Sequence, residues 1–193
     1  RRTERRLKRR GGVTNRRPGI PTRSCASVAT MDDLLERMAD ERACERLIAR
    51  YTHLVDFGDA PAIADLFTPD GVWRTDASAM TGQDEIRAGF KRRQGVTRRL
   101  SRHVCTNVIV DVDGDTATGL CYLVNYRHDS ETGTAVRPAP ADVPKYVGEY
   151  RDRFVRTPDG WRFADRYCEM AFVRAPRYVD GAPVAGPAAD AER

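Results

Sequence analysis

Four long segments with the residue pattern of β-strands fill the second half of the chain, and they constrain the fold more than any other feature. In residues 104–112 the side chains alternate, with Val104, Thr106 and the following valines on one face and His103, Cys105, Asn107 and Ile109 on the other. Turn residues such as Asp113-Gly114-Asp115 separate the segments. We therefore predict four long antiparallel strands, at residues 104–112, 116–128, 145–156 and 161–174.

The first half of the domain has helical periodicity. Residues 32–57 carry one apolar stripe, with Asp32 or Asp33 as the expected cap and Gly58 as the expected stop. Two shorter helices are predicted over residues 60–67 and 83–94. Between them, turn residues 68–71 precede a short strand that begins at Val72.

Helices followed by long antiparallel strands indicate an α+β fold, in which one curved sheet has helices packed on one face. Residues 120–124 are apolar on both faces, which a sheet with one solvated face does not need. A second subunit is therefore expected to cover the outer face, in a homodimer or a homotrimer.

The net charge of +5 is unevenly distributed. Residues 1–30 contain ten Lys or Arg and one acid, which leaves 23 basic and 27 acidic residues in 31–193. The basic charge thus belongs to the leader, and the domain itself gives no indication of nucleic-acid binding.

We expect a disordered basic leader at 1–30, one domain at 31–176 and a flexible tail at 177–193. The preferred explanation of the leader is that translation starts at Met31; a nucleic-acid-binding arm or an organelle transit segment is the alternative.

The five cysteines show no paired spacing. Cys25, Cys44, Cys105, Cys121 and Cys168 form no C-x-x-C motif, and three of them lie in predicted strands, where a free cysteine behaves as a small hydrophobe. This predicts a reduced, cytoplasmic protein. No segment has the ~20 apolar residues of a membrane span, so no membrane contact is expected.

Four scattered residues can move protons: Tyr51, Asp56, His103 and His128. The chain has only three histidines, and no metal, nucleotide or nucleophile motif competes with this set. An acid–base pocket that needs no cofactor is therefore the functional hypothesis. A metal triad of Asp56, His103 and His128 is arithmetically possible, but no ligand spacing supports it, so no metal is predicted.

The sequence resembles the SnoaL-like branch of the nuclear transport factor two superfamily. The resemblance rests on residues 49–59, on Leu66-Phe67-Thr68-Pro69-Asp70-Gly71-Val72-Trp73, on Gly82 before Glu85-Ile86, and on His103-x-x-x-Asn107 with its hairpin. It covers about residues 32–174 and implies a cystatin-like, cone-shaped barrel in which a curved antiparallel sheet wraps around N-terminal helices. The fold hosts many unrelated chemistries.

Within the superfamily, the site pattern is most similar to scytalone dehydratase, bile acid 7α-dehydratase and hexachlorocyclohexane dehydrochlorinase. The resemblance implies that His103 is the base and Asp56 its orienting partner. It also implies that Tyr51 donates to the substrate carbonyl and that His128 assists the leaving group. Trp73, Asn107, Tyr122 and Tyr126 are candidate substrate-binding walls.

Each candidate also has a structural explanation. Tyr51 lies at the centre of the helix stripe, where core packing explains it equally well. Asp56 lies about 140° around the helix from Tyr51, so periodicity alone predicts an exposed carboxylate near His53. His103 fits a satisfied core histidine, and His128 fits a solvated strand end. The cluster of Lys91, Arg92, Arg93, Arg98, Arg99 and Arg102 is typical of a solvated helix end, with attraction of an anionic substrate as the alternative.

These observations predict a dehydratase or other lyase, or a related cyclase or isomerase, acting on a small hydrophobic polyketide-, aromatic- or steroid-like molecule. The alternative is a non-catalytic ligand-binding or assembly subunit, similar to the β subunit of a ring-hydroxylating dioxygenase. In that case His103 and Asp56 need not meet.

Overall fold

The computed structural model describes residues 30–140, 142–175, 178–179 and 182–183. Expectations for the leader up to residue 29, for Cys25 and for most of the tail fall outside these residues. The helices are α1 (Met31–Phe57), a 3₁₀ helix (Ala60–Leu66) and α2 (Gly82–Gln94). The strands are β1 (Phe67–Arg74), β2 (Ala79–Thr81), β3 (Arg99–Asp113), β4 (Thr116–Asp129), β5 (Tyr146–Thr157), β6 (Gly160–Val173), β7 (Tyr178–Val179) and β8 (Ala182–Pro183).

Helix α1 has well-defined ends. Thr30, and not Asp32, is the N-cap: its side chain accepts from the Asp33 N–H, while the Asp33 carboxylate accepts from the Thr30 N–H at 2.8 Å. At the other end Gly58 adopts a left-handed conformation with φ 96°, as a helix C-terminus favours. No helix in the described ranges is long and apolar enough to cross a membrane.

Six strands form one sheet in the order β2-β1-β6-β5-β4-β3. All neighbouring pairs are antiparallel except β1 and β6, which are parallel. The sheet is curved. Strands β2 and β3 lie at its opposite edges and do not pair with each other, so the sheet does not close into a barrel. The α+β fold class with N-terminal helices is confirmed. The predicted turn at residues 68–71 is instead part of β1, where the register shifts between Phe67 and Val72.

A β-bulge interrupts β3 and changes the predicted faces. Thr106 pairs with Tyr122 and Ile109 with Leu120, so one extra residue is inserted on β3. Asn107, at φ 53°, occupies the left-handed region at this point. As a result Val108, Val110 and Val112 pack against the core, whereas Asn107 and Ile109 are exposed. The prediction of uninterrupted alternation was wrong beyond Thr106.

The core lies between the concave face of the sheet and the helices. Cys44, Cys105 and Cys121 are free thiols, and Cys44, Cys121 and Cys168 are buried. A buried charged pair also lies in the core: Arg166 on β6 is opposite Asp152 on β5, and both side chains are fully inaccessible to solvent. Their closest atoms, Nε and Oδ1, are 3.6 Å apart.

Candidate functional site

Asp56 and His103 meet at the junction of α1 and β3. The Asp56 carboxylate is 5% exposed and accepts three hydrogen bonds. His103 donates its backbone N–H to Oδ2 at 2.7 Å, and its ring Nδ1 lies 2.7 Å from Oδ1. Ser101 donates its hydroxyl to Oδ1 at 3.1 Å. With Nδ1 as the donor, the neutral imidazole has its lone pair on Nε2.

The burial of Asp56 was not predictable from helical periodicity. Strand β3 lies against the last turn of α1, and its donors compensate for the removal of the carboxylate from water. His53, the partner that the sequence suggested, is exposed, and its ring instead contacts that of Phe57, with 5.9 Å between centroids. The prediction from periodicity that Asp56 is exposed is therefore wrong.

His103 lies in the wall of a cavity of about 250 Å³. Its side chain is 12% exposed, whereas Asp56 lies behind it and outside this wall. The volume is slightly below the range of about 300–1,000 Å³ that is usual for drug-sized ligands. The cavity therefore suits a small molecule. Its apolar and aromatic walls include Tyr51, Val55, Trp73, Phe90, Leu123, Tyr150 and Met170.

Tyr51 and Trp73 form a linked pair in this wall. Trp73 donates its indole N–H to the Tyr51 hydroxyl at 3.0 Å, so the proton of that hydroxyl is directed elsewhere. Burial raises the pKa of Tyr51 to about 12, which keeps the phenol neutral and able to donate. The Arg166 guanidinium lies over the rings of Tyr51 and Tyr150, at 4.2 and 3.8 Å from their centroids.

The structure places the other candidates away from the cavity. Asn107 is at the bulge, and Tyr122 and Tyr126 are 52% and 47% exposed on the outer face of β4. His128 lies two residues beyond Tyr126 on the same strand, so side-chain alternation puts it on that outer face. None of the four lines the cavity. The expectation that they belong to the pocket is corrected, because the inward residues of β4 are the odd-numbered ones and the bulge leaves Asn107 on β3 exposed.

Sequence reasoning missed several cavity residues. Leu123, Asn125 and Arg127 on β4 line it. Arg93 at the end of α2 and Arg99 at the start of β3 also line it; the sequence placed these two in a basic cluster, with attraction of an anionic substrate only as the alternative. The alternation of side chains along β4 could have identified the three residues of that strand. The prediction instead assigned the opposite face, with Tyr122 and Tyr126, to the pocket. Strand β3 also begins at Arg99, five residues before the predicted start, and this brings Arg99 and Ser101 onto the same face as His103.

No group of three His, Cys, Asp or Glu side chains arranged to hold a metal ion occurs within the residues that the structure describes. The described cavity wall instead contains hydroxyl, amide, imidazole and guanidinium groups. Such groups can donate and accept hydrogen bonds, and an imidazole can also transfer protons.

Comparison with known families agrees with this geometry. The model of the SnoaL-like domain matches residues 36–167, which is more than half of the chain. The chain belongs to the SnoaL-like family. A search of curated proteins gave no significant match to this SnoaL-like protein.

Several solved structures resemble this SnoaL-like domain. A nuclear transport factor two-like protein with a cystatin-like fold from Novosphingobium aromaticivorans is 27% identical; the match covers 77% of this chain and 95% of that one, with a TM-score of 0.62. A protein from the same organism named provisionally as a scytalone dehydratase is 21% identical, with 81% and 99% coverage and a TM-score of 0.60. A provisional dehydratase from Streptomyces avermitilis is 18% identical, with 70% and 99% coverage and a TM-score of 0.57. The last two similarities concern the fold alone.

Proposed function

We propose that this SnoaL-like protein is an acid–base lyase, a dehydratase that eliminates water from a small hydrophobic carbonyl compound. One observation carries the proposal: His103 lines the cavity while its Nδ1 lies 2.7 Å from the buried Asp56 carboxylate. A carboxylate in this position fixes the imidazole tautomer and stabilises the imidazolium that forms when Nε2 accepts a proton.

In the proposed reaction, His103 Nε2 removes a proton from the carbon next to the substrate carbonyl. Electron density moves onto the carbonyl oxygen, and the neutral Tyr51 hydroxyl donates a hydrogen bond to it. The enolate then re-forms the carbonyl, the new C=C bond forms, and the β-hydroxyl leaves. The imidazolium returns its proton to that hydroxyl, so the products are an enone and water. A single histidine thus replaces the two histidines of the sequence-based hypothesis.

The same cavity also allows the non-catalytic alternative, a ligand-binding or assembly subunit. The contact between His103 and Asp56 favours the enzyme, because a ligand wall has no requirement for a charged partner on the far side of an imidazole. Burying a carboxylate costs free energy unless it is fully hydrogen-bonded. The provisional dehydratase names of two fold relatives agree with this choice.

The test separates proton abstraction from elimination. Exchange of the α-proton of 1-tetralone in D2O, followed by NMR, measures the base alone, and formation of the conjugated enone from 4-hydroxy-4-phenylbutan-2-one measures the whole reaction. We expect His103→Gln to lower both rates by about 10²–10⁴-fold. His128→Gln is the matched control, since it removes the same group outside the cavity, and it should keep both rates. Equal rates in wild type and His103→Gln would refute the proposal.

A further inference from the structure

A cluster of arginines forms one side of the cavity. Arg93, Arg99 and Arg127 all line it, together with Arg92, which is exposed. Among the residues that the structure describes, no Asp or Glu is part of this wall. These arginines overlap only in part with the basic cluster named in the sequence analysis. Arg127 comes from β4 and was not in that cluster, whereas Arg98 was in it but does not line the cavity.

Arg99 and Arg127 share one carboxylate. Arg99 Nε lies 3.1 Å from Asp129 Oδ1, and Arg127 Nε lies 2.6 Å from Asp129 Oδ2. All three side chains are nearly buried, at 7%, 9% and 7% exposure for Arg99, Arg127 and Asp129. Within the described part of the chain, hydrogen bonds engage only the Nε atom of each guanidinium. The terminal Nη groups are the ones that suit a second, bidentate anion.

Positive charge is in excess around Asp129. Burial lowers the pKa of Arg99, and the guanidinium groups of Arg127 and Arg93 lower it further. The pKa of Lys145 is also lowered, by burial and by Arg127 and Arg174. Cations crowded in a partly buried site are unfavourable unless an anion balances them.

The strand register places this charge close to the base. His103 is opposite Asn125, Ser101 is opposite Arg127, and Arg99 is opposite Asp129. Arg127 is therefore the diagonal neighbour of His103, with about 7–8 Å between their Cα atoms. Arg93 adds a direct connection, since it donates Nη2 to Ser101 Oγ at 3.1 Å, and Ser101 donates to Asp56.

We infer that the cavity binds a hydrophobic carboxylate, with the carboxylate group held by Arg127, Arg99 and Arg93 and the apolar body against Tyr51 and Trp73. The guanidinium fork matches a carboxylate in two parallel hydrogen bonds. This inference rests on the proposed function and adds a substrate class to it: an aromatic or similarly apolar acid whose reacting carbon lies within reach of His103.

Two ligands of equal size test the inference by calorimetric titration: 2-naphthoate, which is anionic, and 2-naphthamide, its neutral counterpart. Neither has a leaving group, so binding is measured without turnover. We expect 2-naphthoate to bind about ten- to a hundred-fold more tightly, as charge-assisted bidentate pairing implies. The preference should decrease as sodium chloride is raised.

Matched variants locate the effect. Arg127→Gln should reduce the preference for 2-naphthoate to near one while leaving 2-naphthamide binding unchanged, and Arg93→Gln should reduce it in part. Arg98→Gln removes the same charge next to the cluster but outside the wall, and it should keep the full preference. If Arg127→Gln does not fold, Arg93→Gln and the salt dependence of the wild type provide the same comparison.

Equal affinity for the two ligands, no binding of either, or an equal loss in Arg98→Gln would overturn the inference. The outcome is independent of catalysis, because His103→Gln should retain the preference for 2-naphthoate. Loss of turnover in His103→Gln with no preference in wild type would leave the lyase in place and reject only the carboxylate. A preference for 2-naphthoate in a wild-type protein that abstracts no proton would support the carboxylate site and reject the lyase.

Discussion

The replacement Asp56→Asn tests the centre of the site, because three donors converge on that carboxylate. They are the Ser101 hydroxyl, the His103 backbone N–H and the His103 Nδ1–H. Asparagine has one acceptor oxygen and one donor NH2 group. The backbone N–H cannot reverse its polarity, so the amide oxygen must take the position of Oδ2. The NH2 group then faces the imidazole.

This arrangement is satisfied only if the Ser101 hydroxyl turns to accept from the NH2 group and the imidazole proton moves. With the NH2 group of the introduced asparagine as donor, His103 Nδ1 must accept, and the proton goes to Nε2. Nε2 then faces the cavity as a donor and can no longer act as a base. Fixing the wrong histidine tautomer in this way lowers turnover by about 10⁴-fold in the serine protease triad. A comparable loss is expected for proton abstraction by this protein.

The stability cost follows from the same three hydrogen bonds. Each changes from a charge-assisted bond, worth about 1.5–3 kcal/mol, to a neutral one, worth about 0.5–1.5 kcal/mol. The variant no longer buries a charge, which offsets part of the loss. We expect about 2 kcal/mol of destabilisation, or a decrease of about 4–8 °C in Tm for a chain of this size. The fold should persist.

Nitrogen-15 NMR of histidine-labelled protein measures the tautomer directly, with His103→Gln used to assign the signal among the three histidines. Neutral His103 should have its proton on Nδ1 in the wild type and on Nε2 in Asp56→Asn. Asp59→Asn, an exposed change three residues away, is the control and should alter neither the tautomer nor Tm. An unchanged tautomer in Asp56→Asn, or unchanged proton abstraction, would refute the reasoning.

Two further predictions concern the core and the outer sheet face. Burial raises the pKa of Asp152 to about 7, against the opposing charge of Arg166, so its contribution to folding is fully present below about pH 4 and is lost as the pH rises to about 7. In urea denaturation the unfolding free energy of wild type, minus that of Asp152→Asn, should therefore fall over this range and stay constant above it; a flat or rising difference would contradict the assignment. We also propose that the outer face of the sheet is covered by another copy of the chain, since Val104, Tyr122 and Tyr126 are about half exposed there. Sedimentation equilibrium should give a dimer or trimer for wild type and a monomer for Tyr122→Glu, and a monomeric wild type would count against a subunit interface.

Local signals account for the elements that the sequence predicted well. The stop of α1 at Gly58 and the hairpin at Asp113-Gly114-Asp115 depend on a few neighbouring residues, and both lie where they were expected. The proximity of Asp56 and His103 is different, because they are 47 residues apart. Periodicity predicted an exposed carboxylate, and only the family resemblance brought the two residues together.

The charged side of the cavity depends on where β3 starts and on which face of β4 is turned inward. Arg99 was interpreted as part of a solvated cluster, since nothing local distinguishes a charged strand start from a charged loop. Arg127 and Asn125 line the cavity, although the wall residues predicted for β4 are Tyr122 and Tyr126. Sheet faces are set by the packing of the whole sheet and not by the polarity of one residue.

The bulge at Asn107 shows how one residue lets β3 serve two purposes. Before it, inward positions carry Ser101 and His103 and form the site; after it, inward positions carry valines and close the core. Regular alternation from His103 would instead turn Asn107, Ile109 and Asp111 inward, and burying the Asp111 carboxylate would cost free energy.

The left-handed φ of 53° at Asn107 makes this reasoning testable. Asn107→Gly should be tolerated, whereas Asn107→Val should lose about 1–2 kcal/mol, because a β-branched residue is strained in this region. Deleting Asn107 restores regular alternation with the same inward residues, so the protein should fold but lose the local bend and with it the fit of the cavity for 2-naphthoate. Denaturant unfolding and calorimetric titration measure the two effects separately. If Asn107→Val is as stable as wild type, or the deletion binds as wild type does, the bulge does not shape the site.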